Sequence, residues 1–339
     1  MNIKDAIAKV MRFEDLTEAQ TSSVFGLIMS GGATHAQIAA LITALRMKGE
    51  TVEELTGAAK AMRKKSVKIR VPGQRLKVVD TCGTGGSGSN TFNVSTTAAF
   101  VAAGCGVRVA KHGNRSASSH CGSADVLEQL GVAINAPAKI TEECIRRVGI
   151  GFMFAPLFHG AMKHAALPRK EIGARTIFNM IGPLCNPASA KYQVMGVYED
   201  KMTEVMARVL KKLGARRAYV VHGHGPLDEV SLSGRTRVSE LKGGRIRTYY
   251  VTPASFGLKK APIASIKGGS ARRNAKTVFG VLSGRKGPAR DIVLANSALA
   301  LMAAGRAGKL KKAVDMAASS IDSGRAMEKL EQLIIMTNS

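Results

Sequence analysis

The sequence predicts a small N-terminal all-helical domain followed by a larger α/β domain whose mainly parallel central sheet is flanked by helices. Three observations carry this. Residues 1–70 hold three capping-box pairs, each ahead of an apolar-periodic segment. After Pro72-Gly73, short β-rich runs alternate with Ala-rich helical ones, as in βαβ units. From Ala271 onward the pattern is again helical, with a long apolar run over Ile292–Ala304.

In the first block the pairs are Thr17 with Gln20, Thr34 with Gln37 and Thr51 with Glu54. Gly31-Gly32 and Gly49 supply stops, and Arg63-Lys64-Lys65 reads as a solvated, cation-rich helix end. Strand and helix candidates then pair off as Lys77–Val79 with Ser95–Gly104, Val107–Ala110 with Ala124–Leu130, and Gly151–Ala155 with His159–Ala166. Gln193–Val197 follows with Met202–Leu213, then Ala218–Val221. No internal repeat, low-complexity tract or long linker interrupts them.

At 339 residues and 45% hydrophobic content, the chain can bury a sizeable core. With no Trp and 4% aromatics, that core is mostly aliphatic. No apolar run approaches about 18 residues, so no membrane span is expected. The N-terminus does not read as a secretory signal. Cys82, Cys105, Cys121, Cys144 and Cys185 are odd in number and lack a CxxC pair, which argues against a disulfide framework and a zinc site. A cytoplasmic location follows as an expectation. The formal net charge is +26. Residues 201–300 alone hold 20 basic and 5 acidic residues. Such an excess can serve polyanion binding, but it is not interleaved with aromatic platforms, and nucleic acid is not the expected partner.

Two glycine-containing turns follow strand candidates. Gly83-Thr84-Gly85-Gly86-Ser87-Gly88 lacks the Lys-Ser/Thr ending of a P-loop and the spacing of a dinucleotide fingerprint. Alone it reads equally as a plain turn or a phosphate cradle. The second, Lys111-His112-Gly113-Asn114-Arg115-Ser116-Ala117-Ser118-Ser119, adds two cations and a run of hydroxyl and amide donors. Together they describe a cradle for several phosphates at the carboxyl ends of parallel strands. Further on, Asp228 and Glu229 stand side by side in a turn after a strand, a pair that can hold a cation or simply face solvent.

These turns occur in order with Asn93-Val94-Ser95-Thr96, Gly122-Ser123-Ala124-Asp125-Val126-Leu127-Glu128, Arg169-Lys170-Glu171-Ile172-Gly173-Ala174-Arg175-Thr176, Gly182-Pro183-Leu184-Cys185-Asn186-Pro187 and Leu227-Asp228-Glu229. Gly287-Pro288-Ala289-Arg290-Asp291-Ile292-Val293-Leu294 completes the series, which spans about residues 75–300. The chain thereby resembles the anthranilate phosphoribosyltransferase family. The resemblance implies transfer of phosphoribosyl from 5-phosphoribosyl 1-pyrophosphate to the amine of anthranilate, with release of pyrophosphate, in tryptophan biosynthesis. It implies Mg²⁺ held by Ser95, Asp228 and Glu229. It implies a donor site of Gly83, Gly86, Ser87, Thr91, Asn93, Val94, Ser95, Thr96, the nine residues from Lys111 to Ser119, and Ser123.

For anthranilate it implies contacts from Gly83, Asn114, His159 and Arg169, whose guanidinium fork suits a carboxylate. No covalent nucleophile or general base is expected. The implied domains are 1–72 with about 165–185 (helical) and 73–164 with 186–339 (α/β), in a homodimer formed through the helical domain. Two departures stand out: Ser87 where the family has Asp, and Phe158-His159-Gly160 where it has His-His-Pro. Two other readings stay open, a pyrimidine nucleoside phosphorylase and a non-catalytic nucleic-acid-binding homologue.

Overall fold

The computed structural model describes residues 1–71, 77–85, 88–116 and 121–339. Four helices open the chain: α1 (Ile3–Met11), α2 (Glu18–Ile28), α3 (His35–Lys48) and α4 (Val52–Lys65). Helices α2, α3 and α4 each start on a capping box. At α2, Gln20 N–H donates to Thr17 Oγ1 at 3.2 Å while Thr17 N–H donates to the Gln20 side chain at 3.0 Å. At α4, Glu54 caps Thr51 and also accepts from Leu16 N–H at 2.9 Å and Lys48 Nζ at 3.0 Å. This buried carboxylate therefore ties three segments of the bundle together. Arg63 corrects the solvated-end reading: its Nε donates to Leu184 O at 2.6 Å and its Nη1 to Leu213 O at 3.3 Å. The end of α4 is fastened to the α/β block.

Beyond the helical block the chain alternates. β1 (Val78–Gly83), α5 (Val94–Gly104), β2 (Arg108–Gly113), α6 (Ser123–Gln129), α7 (Ala138–Glu143) and β3 (Ile150–Phe154) come first. α8 (Ala155–Phe158), α9 (Lys163–Ile172) and α10 (Ile177–Ile181) then lead to β4 (Tyr192–Gly196), α11 (Met202–Lys212) and β5 (Arg217–Gly223). The last elements are β6 (Thr236–Lys242), β7 (Arg245–Val251), α12 (Ala271–Leu282), α13 (Pro288–Ala303), α14 (Leu310–Asp322) and α15 (Arg325–Asn338).

The strands form one sheet in the order β3-β2-β1-β4-β5-β6-β7. β1 to β5 run parallel, and β6 and β7 are antiparallel. The hairpin β6–β7 is not among the elements expected from the sequence. Gly243 and Gly244, both at positive φ (56° and 74°), make its two-residue turn. The Gly-Gly pair between two β-rich runs was the available signal.

Strand side chains alternate between two cores. Val79, Val194, Tyr219 and Val221 face the core shared with α5 and the C-terminal helices. Cys82, Met195, Ala218 and Val220 face the opposite core, which includes α11 and the helical block. Ala165 of α9 and Ile177 and Phe178 of α10 join this second core, so the 163–181 segment packs on the N-terminal helices. Where the chain passes between blocks, the crossings bond to one another. Val67 N–H donates to Phe158 O at 2.9 Å, and Ile69 N–H to Pro187 O at 3.2 Å. Ile69, Met153, Phe158 and Ala190 fill a small core there.

Helices α2 and α4 touch through Gly57, where an added Cβ would lie 2.4 Å from Glu18 O. Gly57→Ala therefore forces the helices apart and is expected to cost about 1–3 kcal/mol, despite the better helix propensity of Ala. Urea unfolding of the two forms measures it; an unchanged midpoint would show that the bundle gives way there freely.

Candidate active site

A cavity of about 690 Å³ lies where the helical block meets the carboxyl ends of the strands. The last residue of β1 brings Gly83, the entry to α5 brings Thr91, Asn93, Val94, Ser95 and Thr96, the end of β2 brings Lys111 to Gly113, and the turn after it Asn114 to Ser116. Ser123 opens α6, His159 follows α8, Arg169 lies in the last turn of α9, and Asp228 and Glu229 come from the turn after β5. Every candidate residue within the described segments thus lines one cavity. Gly86, Ser87, Ala117, Ser118 and Ser119 lie outside the described residues.

Small residues at the strand ends make room for the acidic turn. A Cβ on Gly196 would lie 1.7 Å from Asp228 O, and one on Gly223 would lie 2.4 Å from Glu229 O. At Gly83 a Cβ would meet Asp228 Oδ2 at 3.1 Å. Glu229 consequently reaches the start of α5, where Ser95 N–H donates to its Oε1 at 3.2 Å, with the Asp228 carboxylate beside Gly83. The carboxyl of Glu229 is pushed up to about 8, first by burial and then by the charge of Asp228 beside it. Two crowded carboxylates next to a serine form a hard-oxygen set that a divalent cation suits and neutralises. Among the described residues, no cluster of three or more His, Cys, Asp or Glu offers a rival metal site.

Below the cavity floor, Asp80 is fully buried. It accepts from His112 N–H at 3.2 Å and from Asn186 Nδ2 at 2.7 Å, and Asn186 also donates to Ala110 O at 2.8 Å. Burial pushes the Asp80 carboxyl up to about 6 against the opposing pull of Lys111. Lys111, itself buried, donates to Thr81 O at 2.6 Å and lines the cavity. Asp80 therefore balances the ammonium on the floor. Sequence reasoning named Lys111 and missed Asp80 and Asn186, whose only signal was their place beside recognised motifs.

The rings of His112 and His159 meet at a tilt of 57°, with centroids 5.0 Å apart. His112 Nε2 and both ring nitrogens of His159 are buried without hydrogen bonds. Burial depresses their pKa values to about 3 and about 4. Both rings are neutral at working pH. Arg169 lies over Phe178, its guanidinium carbon 5.3 Å from the ring centroid, and makes no ion pair among the described residues. Arg115 is different: it pairs with Asp125 at 3.0 Å and with both oxygens of Glu128 at 2.9 and 3.0 Å. Of the family departures, Phe158 is buried in the small core at the crossings, and Gly160 lines the cavity with nothing within 4 Å of its Cβ position.

The chain matches two family models: a glycosyl transferase family helical bundle domain over residues 4–66, and a glycosyl transferase family a/b domain over residues 75–327. The class so defined is a two-domain glycosyl transferase. The chain is 57% identical over 336 residues to the anthranilate phosphoribosyltransferase of Syntrophobacter fumaroxidans, covering 99% of each. Its fold is similar to the crystal structure of the enzyme of that name from Thermus thermophilus, with TM-score 0.93, 42% identity, and 99% and 100% of the two chains covered. It is also similar to the anthranilate phosphoribosyltransferase from Saccharomyces cerevisiae in complex with PRPP and Mg, with TM-score 0.90, 28% identity, and 99% and 98% covered. The chain belongs to the anthranilate phosphoribosyltransferase family.

The two neutral histidines give a pH prediction. Their folded pKa values are depressed below the unfolded value of about 6.5, so the unfolded chain takes up protons first as pH falls. Stability present above pH 6.5 is lost on acidification toward pH 4, by about 2 kcal/mol per ring at pH 4.5. His159→Phe should therefore lose less stability than the parent between pH 7 and 4.5 in urea unfolding. Equal losses would show that His159 is protonated in the folded protein.

Proposed function

We infer that this protein transfers the phosphoribosyl group of 5-phosphoribosyl 1-pyrophosphate to the amine of anthranilate, giving N-(5-phosphoribosyl)anthranilate and pyrophosphate. The observation that carries this is one cavity lined by a half-buried acidic pair, a cationic strand end and the Arg169 guanidinium of the helical segment. The helical segment thus contributes Arg169 to a cavity whose other candidate residues come from the α/β domain. The ligands of the yeast relative, PRPP and Mg, match the chemistry of the same wall.

The anthranilate nitrogen forms its bond to carbon 1 of the ribose while the bond from that carbon to pyrophosphate breaks, and the nitrogen then releases a proton. Charge develops on carbon 1 and on the departing diphosphate, so positioning and electrostatic stabilisation do the chemistry. We assign the diphosphate and ribose to Gly83, Thr91, Asn93 to Thr96, Lys111 to Ser116 and Ser123. Asp228, Glu229 and Ser95 would hold Mg²⁺, which supplies countercharge to the leaving group. Lys111 adds a fixed cation at the floor. Arg169, with Asn114 and the Gly83 backbone, orients the anthranilate carboxylate, and His159 borders its approach as a neutral ring. Neutral histidines are consistent with an arylamine that is already unprotonated and needs no strong base.

We assign residues 165–185 to the helical domain on their packing against α3 and α4. The exposed apolar side chains Met11, Phe13, Leu27, Met47 and Leu167 of this domain support a homodimer formed through it. Five free, buried cysteines suit the reducing cytoplasm. No helix of the described residues is long and apolar enough to cross a membrane.

The test is anthranilate consumption, followed by its fluorescence, with and without donor and Mg²⁺. Asp228→Ala combined with Glu229→Ala should abolish turnover in a folded protein, since loss of a metal clamp raises the barrier by several kcal/mol; normal turnover would remove the pair from the mechanism. Arg169→Lys keeps the charge and loses the planar fork. It should raise the anthranilate concentration for half-saturation and leave that of the donor much less changed. A selective loss of donor binding would instead place Arg169 on the phosphates.

A further inference from the structure

Arg175 sits in the short segment between α9 and α10, six residues after Arg169, and lines the cavity. Its Nη2 donates to the backbone carbonyl of Gly85, in the glycine-rich turn of the other domain. The guanidinium carbon lies 4.2 Å from the ring centroid of Tyr198, just beyond the end of β4. Tyr198 is itself held by α3, where Arg46 donates to its hydroxyl at 3.4 Å. Arg175 Nη1 is buried without a partner. One guanidinium therefore spans three elements: the helical segment, the strand-end tyrosine and the turn.

The described flanks of the turn are also bonded to the frame. On one side Thr84 N–H donates to Gly196 O at 2.9 Å, and on the other Gly268 N–H donates to Asn90 O at 2.8 Å. Between these anchors stands Gly85, at φ 63° and with nothing within 4 Å of its Cβ position. The hydrogen bond from Arg175 holds its carbonyl from the helical segment. A planar fork stacked on an aromatic face loses little further freedom on making that bond.

We propose that Arg175 is a positioning residue for the donor: clasped between Tyr198 and Gly85, it fixes the Gly83–Gly85 end of the turn beside the cavity wall assigned to the diphosphate. The inference rests on the transferase reading. Because Arg169 and Arg175 share one segment, the wall that orients the acceptor also shapes the donor turn. The clasp acts on the phosphate side, so its loss falls on the donor.

The experiment compares the parent protein, Arg175→Ala and Tyr198→Leu for steady-state turnover and for calorimetric binding of the donor with Mg²⁺. Turnover by the parent tests the transferase reading, independently of either variant. For Arg175→Ala the donor half-saturation concentration should rise about tenfold, as expected for losing one hydrogen bond to a charged group, with anthranilate half-saturation changed less than about twofold. Free guanidinium at low millimolar concentration should recover part of the donor affinity, and equal sodium chloride should not. Tyr198→Leu, which keeps the arginine and removes its platform, should move the same parameter in the same direction and decides the matter if Arg175→Ala does not fold. Unchanged donor binding overturns the proposal, as does an equal loss for both substrates that guanidinium does not reverse.

Discussion

The close approach of the Asp228–Glu229 turn to the ends of β1, β4 and β5 is the constraint from which the site follows. Backbone atoms of the turn occupy the space where side chains on Gly196 and Gly223 would stand. The turn is thereby pressed against the sheet and brings two carboxylates level with the start of α5. The parallel register fixes the rest: Gly83 pairs with Gly196, and Gly113 with Phe154. Loops leaving adjacent parallel strands at one level necessarily share one crevice. No single loop makes the cavity; the alignment of the strand ends does.

Charge in the cavity is layered. Asp80 lies beneath the floor, Lys111 in it, and the acidic pair across from it. An isolated buried ammonium would shed its proton, and burial does pull Lys111 downward. Asp80 opposes that pull. The histidines beside them add polar surface without charge. The cavity thus offers an ammonium on its floor and a pair of carboxylates suited to a cation.

Much of this was legible in the sequence because local chemistry and tertiary role coincided. Thr17, Thr34 and Thr51 start helices by a rule that operates within three residues. Lys111 and the glycine turns carry phosphate chemistry in their residue types, and they fell where strand ends were expected. What escaped were contacts distant in sequence. Asp80 and Asn186 are 106 positions apart, and nothing in either segment announces the other. Arg63 looked like any cationic helix end, yet its partners are carbonyls 121 and 150 residues away. The hairpin β6–β7 escaped for another reason: Arg237, Lys242, Arg245 and Arg247 mask its alternation, leaving the Gly-Gly turn as the lone sign. The consequence of the Ser87 departure lies outside the described residues.

The hydrogen bonds that lace Val67 to Phe158 and Ile69 to Pro187 bear on modularity. The chain leaves and re-enters the helical bundle, and the bundle's core is completed by Ala165, Ile177, Phe178 and Ile181. The bundle is therefore not a bead on a string. Cut after residue 66 and it would present an unfilled apolar seam. The α/β block, cut likewise, would keep a helical loop with nothing to pack against. Two family models divide the chain at this boundary, but as a physical object it has no detachable half, and the two parts exchange neighbours only by exchanging together.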